Sequence, residues 1–305
     1  MAQTRVITLD LNFQGRPHAI AAYLIRYPKG DGAVLIESGP GSTLSSLQAG
    51  LAEQGLSPRD VTHVLLTHIH LDHAGAAGWL ARSGAQIYVH PVGAPHMLNP
   101  EKLLASAARI YGDKMESLWG EFLPVPESQL VIPNDGEEIE IGDLRFVPIN
   151  TPGHAEHHYA YLFEDICFSG DVGGVRIPGY QYLRVPMPPP ELHLERWHES
   201  IARLRKEKFT RIAPTHFGIY DEPEWQLREV EKGLHSAALW LEQTMSEDPS
   251  MEVEALRQSF TEWMIEEGLQ MGLSEDVMDA YQLANPPGMS ADGLLRYWKK
   301  VKNAG

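Results

Sequence analysis

The chain has 305 residues, of which 43% are hydrophobic and 22% charged, with 27 Gly and 22 Pro; this suits one large or two ordinary globular domains and excludes disorder, collagen and coiled coil. Asp and Glu number 41 against 25 Lys and Arg, a net charge of -16 whose field repels phosphate backbones, so nucleic acid is not an expected partner. Cys167 is the one cysteine, no run of about 18 apolar residues could cross a bilayer, and the opening MAQTRVITLD lacks the basic-then-apolar pattern of a secretory signal, so a soluble cytoplasmic protein without an internal disulfide or membrane contact is expected.

In chain order, short strands are predicted between Val6 and Ile36, the clearest at 19–25 and 32–36, broken by the turn signal Pro28-Lys-Gly-Asp-Gly32. Leu44, Leu47 and Leu51 have helical spacing, and residues 61–66 read as a strand feeding into a histidine cluster. A helix over 75–83 follows, then strands at 86–89, 138–140, 144–147, 160–163 and 166–169. A helix over 192–204 and a strand over 211–213 complete an alternating α/β pattern.

Beyond Asp221 the pattern turns helical and acidic, with 17 acidic and 7 basic side chains in 221–305. Leu227, Val230, Leu234, Ala238, Leu241 and Met245 form one apolar stripe, and Val253, Leu256, Phe260 and Trp263 a second behind Ser250 as N-cap. Ser274 and Ser290 are expected to cap two more helices, the last carrying Leu294, Trp298 and Val301.

Chemistry concentrates in Thr67-His-Ile-His-Leu-Asp-His-Ala-Gly75, where three imidazoles and a carboxylate fall within six positions. Folding that many polar groups together is costly unless something pairs with them, and a metal ion would. Residues two apart in an extended segment face the same way, so His68 and His70 can reach one ion while Ile69 and Leu71 turn inward; Asp72 and His73 then point at a second. Three further groups each follow a strand: His154 after Thr151-Pro-Gly, Asp171 after Phe168-Ser-Gly, and His216 after Pro214-Thr.

Taken together, these residues and their order resemble the metallo-β-lactamase superfamily, whose pattern is HxHxDH, then His, Asp and His; the glyoxalase II-like and lactonase-like branch is the nearest in kind. The resemblance spans roughly residues 5–220. It implies a four-layer αβ/βα sandwich over 1–220, with 221–305 as a helical extension covering the site. It also implies two divalent ions, zinc first with iron or manganese as alternatives: His68, His70 and His154 on one, Asp72, His73 and His216 on the other, Asp171 bridging. Glu37-Ser-Gly39 stands where the family has Asp-Thr-Gly, a turn beneath the site. Asp171 occupies the position where antibiotic-destroying di-zinc relatives use Cys, and Cys167 does not align with it, so penicillin hydrolysis is not expected.

Two such ions lower the pKa of a shared water and polarise a carbonyl, with Asp72 carrying the proton toward the leaving group. The expected activity is hydrolysis of a small carboxylic ester, thioester or lactone. The alternative is a mononuclear iron dioxygenase acting on persulfides; phosphodiester or RNA cleavage and a non-catalytic metal-binding role rank below it. The loop leaving Asp171 nominates Arg176, Tyr180 and Tyr182 to orient a carbonyl or carboxylate, with Tyr111 and Trp119 as apolar walls. Aromatic loop packing or a homodimer contact is the competing reading of these residues. His157 and His158 read as strand residues beside the ligands, His90 and His96 as structural.

Overall fold

The computed structural model describes residues 5–30 and 32–302; Asp31 of the predicted turn and the side chain of Val301 lie outside the described residues. Packing divides the chain into two compact units. One runs to Asn150 and adds His157–Phe168; the other comprises Thr151–Glu156 and everything from Ser169 onward. Helices 221–305 thus belong to the same unit as the segments carrying His154, Asp171 and His216.

The first unit holds two sheets. Strands β1 (Val6–Asp10), β2 (Ala21–Arg26), β3 (Ala33–Ile36), β4 (Val61–Leu65), β5 (Gln86–Tyr88) and β6 (Leu130–Val131) lie side by side in chain order. The first three are antiparallel; from β3 to β6 neighbours run parallel. All four residues of β3 are buried, matching the unbroken apolar run expected of a strand covered on both faces. The second sheet places β7 (Ile139–Ile141), β8 (Leu144–Asn150), β9 (Tyr159–Phe163) and β10 (Ile166–Phe168) as antiparallel neighbours. Parallel neighbours need crossovers: α1 (Leu44–Glu53) joins β3 to β4, and α2 (Leu71–Ala74) with α3 (Ala77–Arg82) joins β4 to β5. Between β5 and β6 run α4 (Ala94–Leu98), α5 (Glu101–Tyr111) and α6 (Met115–Trp119), a stretch whose spacing had not suggested helices.

In the second unit, α7 (Leu194–Leu204) buries Leu194, Trp197, Ser200, Ile201 and Leu204, an i, i+3, i+4 face. Strand β11 (Arg211–Ala213) follows, then α8 (Pro223–Glu247), α9 (Val253–Gln270), α10 (Glu275–Ala284) and α11 (Pro287–Tyr297). The predicted stripe of α8 is buried apart from Ala238, whose place is taken by Ala237. Three expectations are corrected. Ser250 does not cap α9, because it donates instead to Asp248 Oδ1 at 2.9 Å, and Val253 is 40% exposed. Ser290 is inside α11 rather than at its start, since Pro286 and Pro287 begin the helix earlier. No helix among the described residues is long and apolar enough to cross a membrane.

Candidate functional site

Strands β3 and β4 are parallel, and their carboxyl ends deliver the first group of candidate residues, at the end of a parallel sheet where such sites usually form. Chain leaving β3 turns at Glu37, which adopts a left-handed φ of 68° and is fully buried. Its carboxylate accepts from Thr67 Oγ1 at 2.5 Å, from Thr67 N at 3.3 Å and from His73 Nδ1 at 2.9 Å. Ser38 donates from Oγ to the His73 carbonyl at 2.8 Å. The Glu-for-Asp departure seen in the sequence therefore has a physical use, since the longer side chain ties the end of β4 to α2.

These bonds fix a tautomer. With Nδ1–H donating to Glu37, the other ring nitrogen of His73, Nε2, faces Asp72 Oδ2 at 3.6 Å. A lone pair aimed at a carboxylate is repulsive unless a proton or a metal cation stands between them. His68, fully buried, brings Nε2 to 2.9 Å from His70 Nδ1, as expected of alternate residues facing one way, and Ile69 and Leu71 are buried as predicted. Glu37, His68 and His73 offer ligand atoms within 4.8 Å of one another. His157 and His158 also pack against His68, with centroids 6.0 and 5.0 Å away.

The second unit repeats the same chemistry. His154 Nδ1 donates to the Pro186 carbonyl at 2.9 Å, and Nε2 stands 3.3 Å from Asp171 Oδ2. His216 Nε2 stands 3.4 Å from Asp171 Oδ1. Each oxygen of this nearly buried carboxylate thus faces an imidazole nitrogen, a His and Asp donor set that fits a divalent ion.

Trp197, which the sequence places only within the helix predicted over 192–204, holds this group in place. Its indole Nε1 donates to the Val172 carbonyl, next to Asp171, at 3.1 Å, and its ring meets His154 edge-on at 5.5 Å. Gly153, with φ of 137°, makes the approach possible: a Cβ there would lie 2.4 Å from Trp197 Cα.

The nominated substrate residues separate. Tyr111 ends α5 against Trp119, ring centroids 5.0 Å apart, and its phenol is pushed up first by burial and then by the charge of Asp72. Arg176 is committed within its own unit, with Nη2 on Glu222 at 2.7 Å and the guanidinium 3.9 Å from the Tyr220 ring centre and 4.3 Å from that of Trp225. That guanidinium braces the 220–226 segment. Tyr182 is buried against Tyr281, whereas Tyr180 is exposed. Arg184, two residues beyond Tyr182, had not been singled out; nothing in its spacing distinguishes it, and its burial is a property of the tertiary fold.

Comparison with known proteins bears on the whole arrangement. A sequence model described as the metallo-beta-lactamase superfamily matches residues 15–216. A metallo-beta-lactamase fold-containing protein of Sulfurisphaera tokodaii is 29% identical over 168 residues, 52% of this chain and 60% of that protein. A hydroxyacylglutathione hydrolase of Xylella fastidiosa is 30% identical over 141 residues, 46% of this chain and 41% of that enzyme. The chain therefore spans less than two thirds of the length of these relatives. Among solved structures, a metallo-beta-lactamase family protein from Thermus thermophilus aligns over 97% of this chain and 94% of its own, with TM-score 0.66 and 20% identity. At that identity the likeness is one of fold.

Proposed function

The chain belongs to the metallo-beta-lactamase superfamily, and on that premise we propose that it is a metal-dependent hydrolase of a small carboxylic ester, thioester or lactone. We infer two divalent ions, zinc in the first instance, with His68, His70 and His154 holding one, Asp72, His73 and His216 the other, and Asp171 shared. The observation that carries this reading is the pair of oriented imidazoles: Glu37 and the Pro186 carbonyl each engage Nδ1, which turns Nε2 toward Asp72 and Asp171 respectively. Bound ions would supply an activated water and a polarised carbonyl, so no nucleophilic side chain is required.

The side chains do the rest. Asp72, 20% exposed at its side chain, keeps a face open to water and serves as the base that accepts a proton and returns it to the leaving group. Tyr111, half-buried on Trp119 and within electrostatic reach of Asp72, serves as an apolar wall that restricts water. A thioester is favoured within the substrate class because a relative bears the name hydroxyacylglutathione hydrolase.

The test is a panel of esters, thioesters, lactones, phosphodiesters and persulfides against enzyme reconstituted separately with zinc, manganese and iron. Turnover of a carbonyl substrate is the expected result. Activity confined to the iron form, with oxygen consumed and every ester left intact, would replace hydrolysis with persulfide oxidation.

A further inference from the structure

Asp171 lies in a short 3-10 turn, Gly170–Gly173, and a turn of that length leaves most of its carbonyls without partners of its own. The turn's own bond runs from Gly174 N to the Asp171 carbonyl at 3.0 Å. The next two carbonyls are reached by side chains. Trp197 Nε1, from α7, donates to Val172 O at 3.1 Å, and Gln226 Nε2, from the start of α8, donates to Gly173 O at 2.9 Å. Gln226 is fully buried and adjoins the apolar stripe of α8, where an aliphatic side chain would pack without needing any hydrogen bond. A buried amide at that place is stable only with both ends satisfied, and both are.

The far end of the amide is set by Arg176. Its Nη1 donates to Gln226 Oε1 at 3.4 Å, and because a guanidinium carries donors only, the oxygen must face it and the NH2 must face Gly173. Arg176 is itself held through Nη2 on Glu222 and by the Tyr220 and Trp225 rings. Its backbone reaches the other side of the site: Arg176 N donates to the His216 carbonyl at 2.5 Å, and Tyr220 donates from its hydroxyl to Arg176 O at 2.7 Å. The turn has little slack on its remaining face, since a Cβ at Gly173 would lie 2.0 Å from Ser169 Oγ. One network thus joins the backbone beside Asp171 and that of His216 to the first residues of α8.

We propose that Gln226 is a positioning residue for the candidate metal centre: by holding the Gly173 carbonyl it fixes the turn that aims the two oxygens of Asp171 at His154 and His216. Those oxygens stand 3.3 and 3.4 Å from two different imidazole nitrogens, so any rotation of the turn that improves one approach spoils the other. The inference rests on the metal-dependent reading of Asp171. It gives α8 a task beyond covering the site, since an amide 53 residues along the chain from Gly173 sets how well the shared carboxylate binds an ion.

Two substitutions in the full-length protein test it without requiring turnover. Gln226→Glu keeps the size of the side chain and an acceptor for Arg176 but puts an oxygen where the donor to Gly173 stood; Gln226→Met keeps the length and loses both bonds. Zinc affinity, measured by competition with a chelator, should fall by about tenfold or more in each, and the visible d–d bands of the cobalt-loaded protein should shift. Leu241→Ala, which removes buried packing from the same helix, should lower the denaturation midpoint while leaving affinity and bands as in the parent. Unchanged zinc affinity and cobalt bands in Gln226→Glu overturn the proposal, as do equal changes in Leu241→Ala, which would reduce Gln226 to a general contributor to stability. If Gln226→Met does not fold, Gln226→Glu decides alone. The two readings fail separately. A parent protein that takes up no metal overturns the metal reading and this proposal together. A metal-loaded parent that turns over no ester, thioester or lactone, with affinity still lost in Gln226→Glu, overturns hydrolysis and leaves the positioning role standing.

Discussion

Glu37 Oε1 accepts from His73 Nδ1 at 2.9 Å with both side chains fully buried, and the same oxygen takes the Thr67 hydroxyl. One carboxylate thereby sets the tautomer of a candidate ligand and ties it to the strand end that carries two others. Glu37→Asp, shorter by a methylene, should lower metal affinity by about 10- to 100-fold, read by competition with a chelator. Glu37→Ala should in addition cost roughly 3 kcal/mol of stability by stranding buried donors, read by denaturant unfolding. Unchanged metal affinity in both variants would show that His73 does not bind metal.

Purified protein should carry close to two transition-metal ions per chain, because seven donor residues exceed what one tetrahedral ion uses. Asp171→Ala should deplete both ions, since each of its oxygens faces a different imidazole. Elemental analysis giving one ion in the parent, unchanged in the variant, would overturn the binuclear assignment.

Asp72→Ala should reduce turnover of a carbonyl substrate by about two orders of magnitude or more, within the range of a lost general base. Metal content measured on the same sample separates a lost base from a lost ligand. Full activity at full occupancy would remove Asp72 from the reaction.

Removing one hydroxyl should loosen the segment that follows Asp171. Tyr281→Phe deletes a donor to Tyr182 and an acceptor from Ile177, which should destabilise the protein by about 1–3 kcal/mol and speed proteolysis between residues 173 and 190. Removal of 222–305 should be far more severe, giving insoluble or inactive protein, because the cut exposes the apolar faces on which α8–α11 pack.

Burial holds the His63 imidazole below its ordinary value of 6.5. The unfolded chain therefore takes up this proton more readily than the folded one, so the stabilising effect is complete above about pH 6.5 and declines as pH falls from there toward the lower folded value. Denaturant unfolding of His63→Gln should show a shallower acid-side loss than the parent. An identical pH profile would rule out His63 as a contributor.

The candidate metal-ligating constellation is legible because its residues are dense and ordered: HxHxDH sits at a strand end, and the alternation of apolar and polar groups from His68 to Leu71 already states which side chains share a face. Strand β3 and helix α8 were equally legible from an apolar run and a 3.6-residue stripe. Helices α4–α6 were not, since Pro95, Pro100, Gly112 and Gly120 chop the pattern into pieces too short to show a period. Arg176 and Arg184 look interchangeable in sequence, both following the Asp171 loop; only tertiary packing gives one an acid and two stacked rings and leaves the other with two bare nitrogens.

The path of the backbone between the two units bears on engineering. Composition marks residue 221 as a natural cut, yet the second unit begins at Thr151, yields His157–Phe168 to the first, and resumes at Ser169. A split reporter or domain swap made at 221 would divide the second unit within itself, parting Arg176 from Glu222 and Tyr182 from Tyr281. Neither fragment would inherit a complete unit, so an exchange between relatives would have to transplant Thr151–Glu156 together with everything from Ser169 onward.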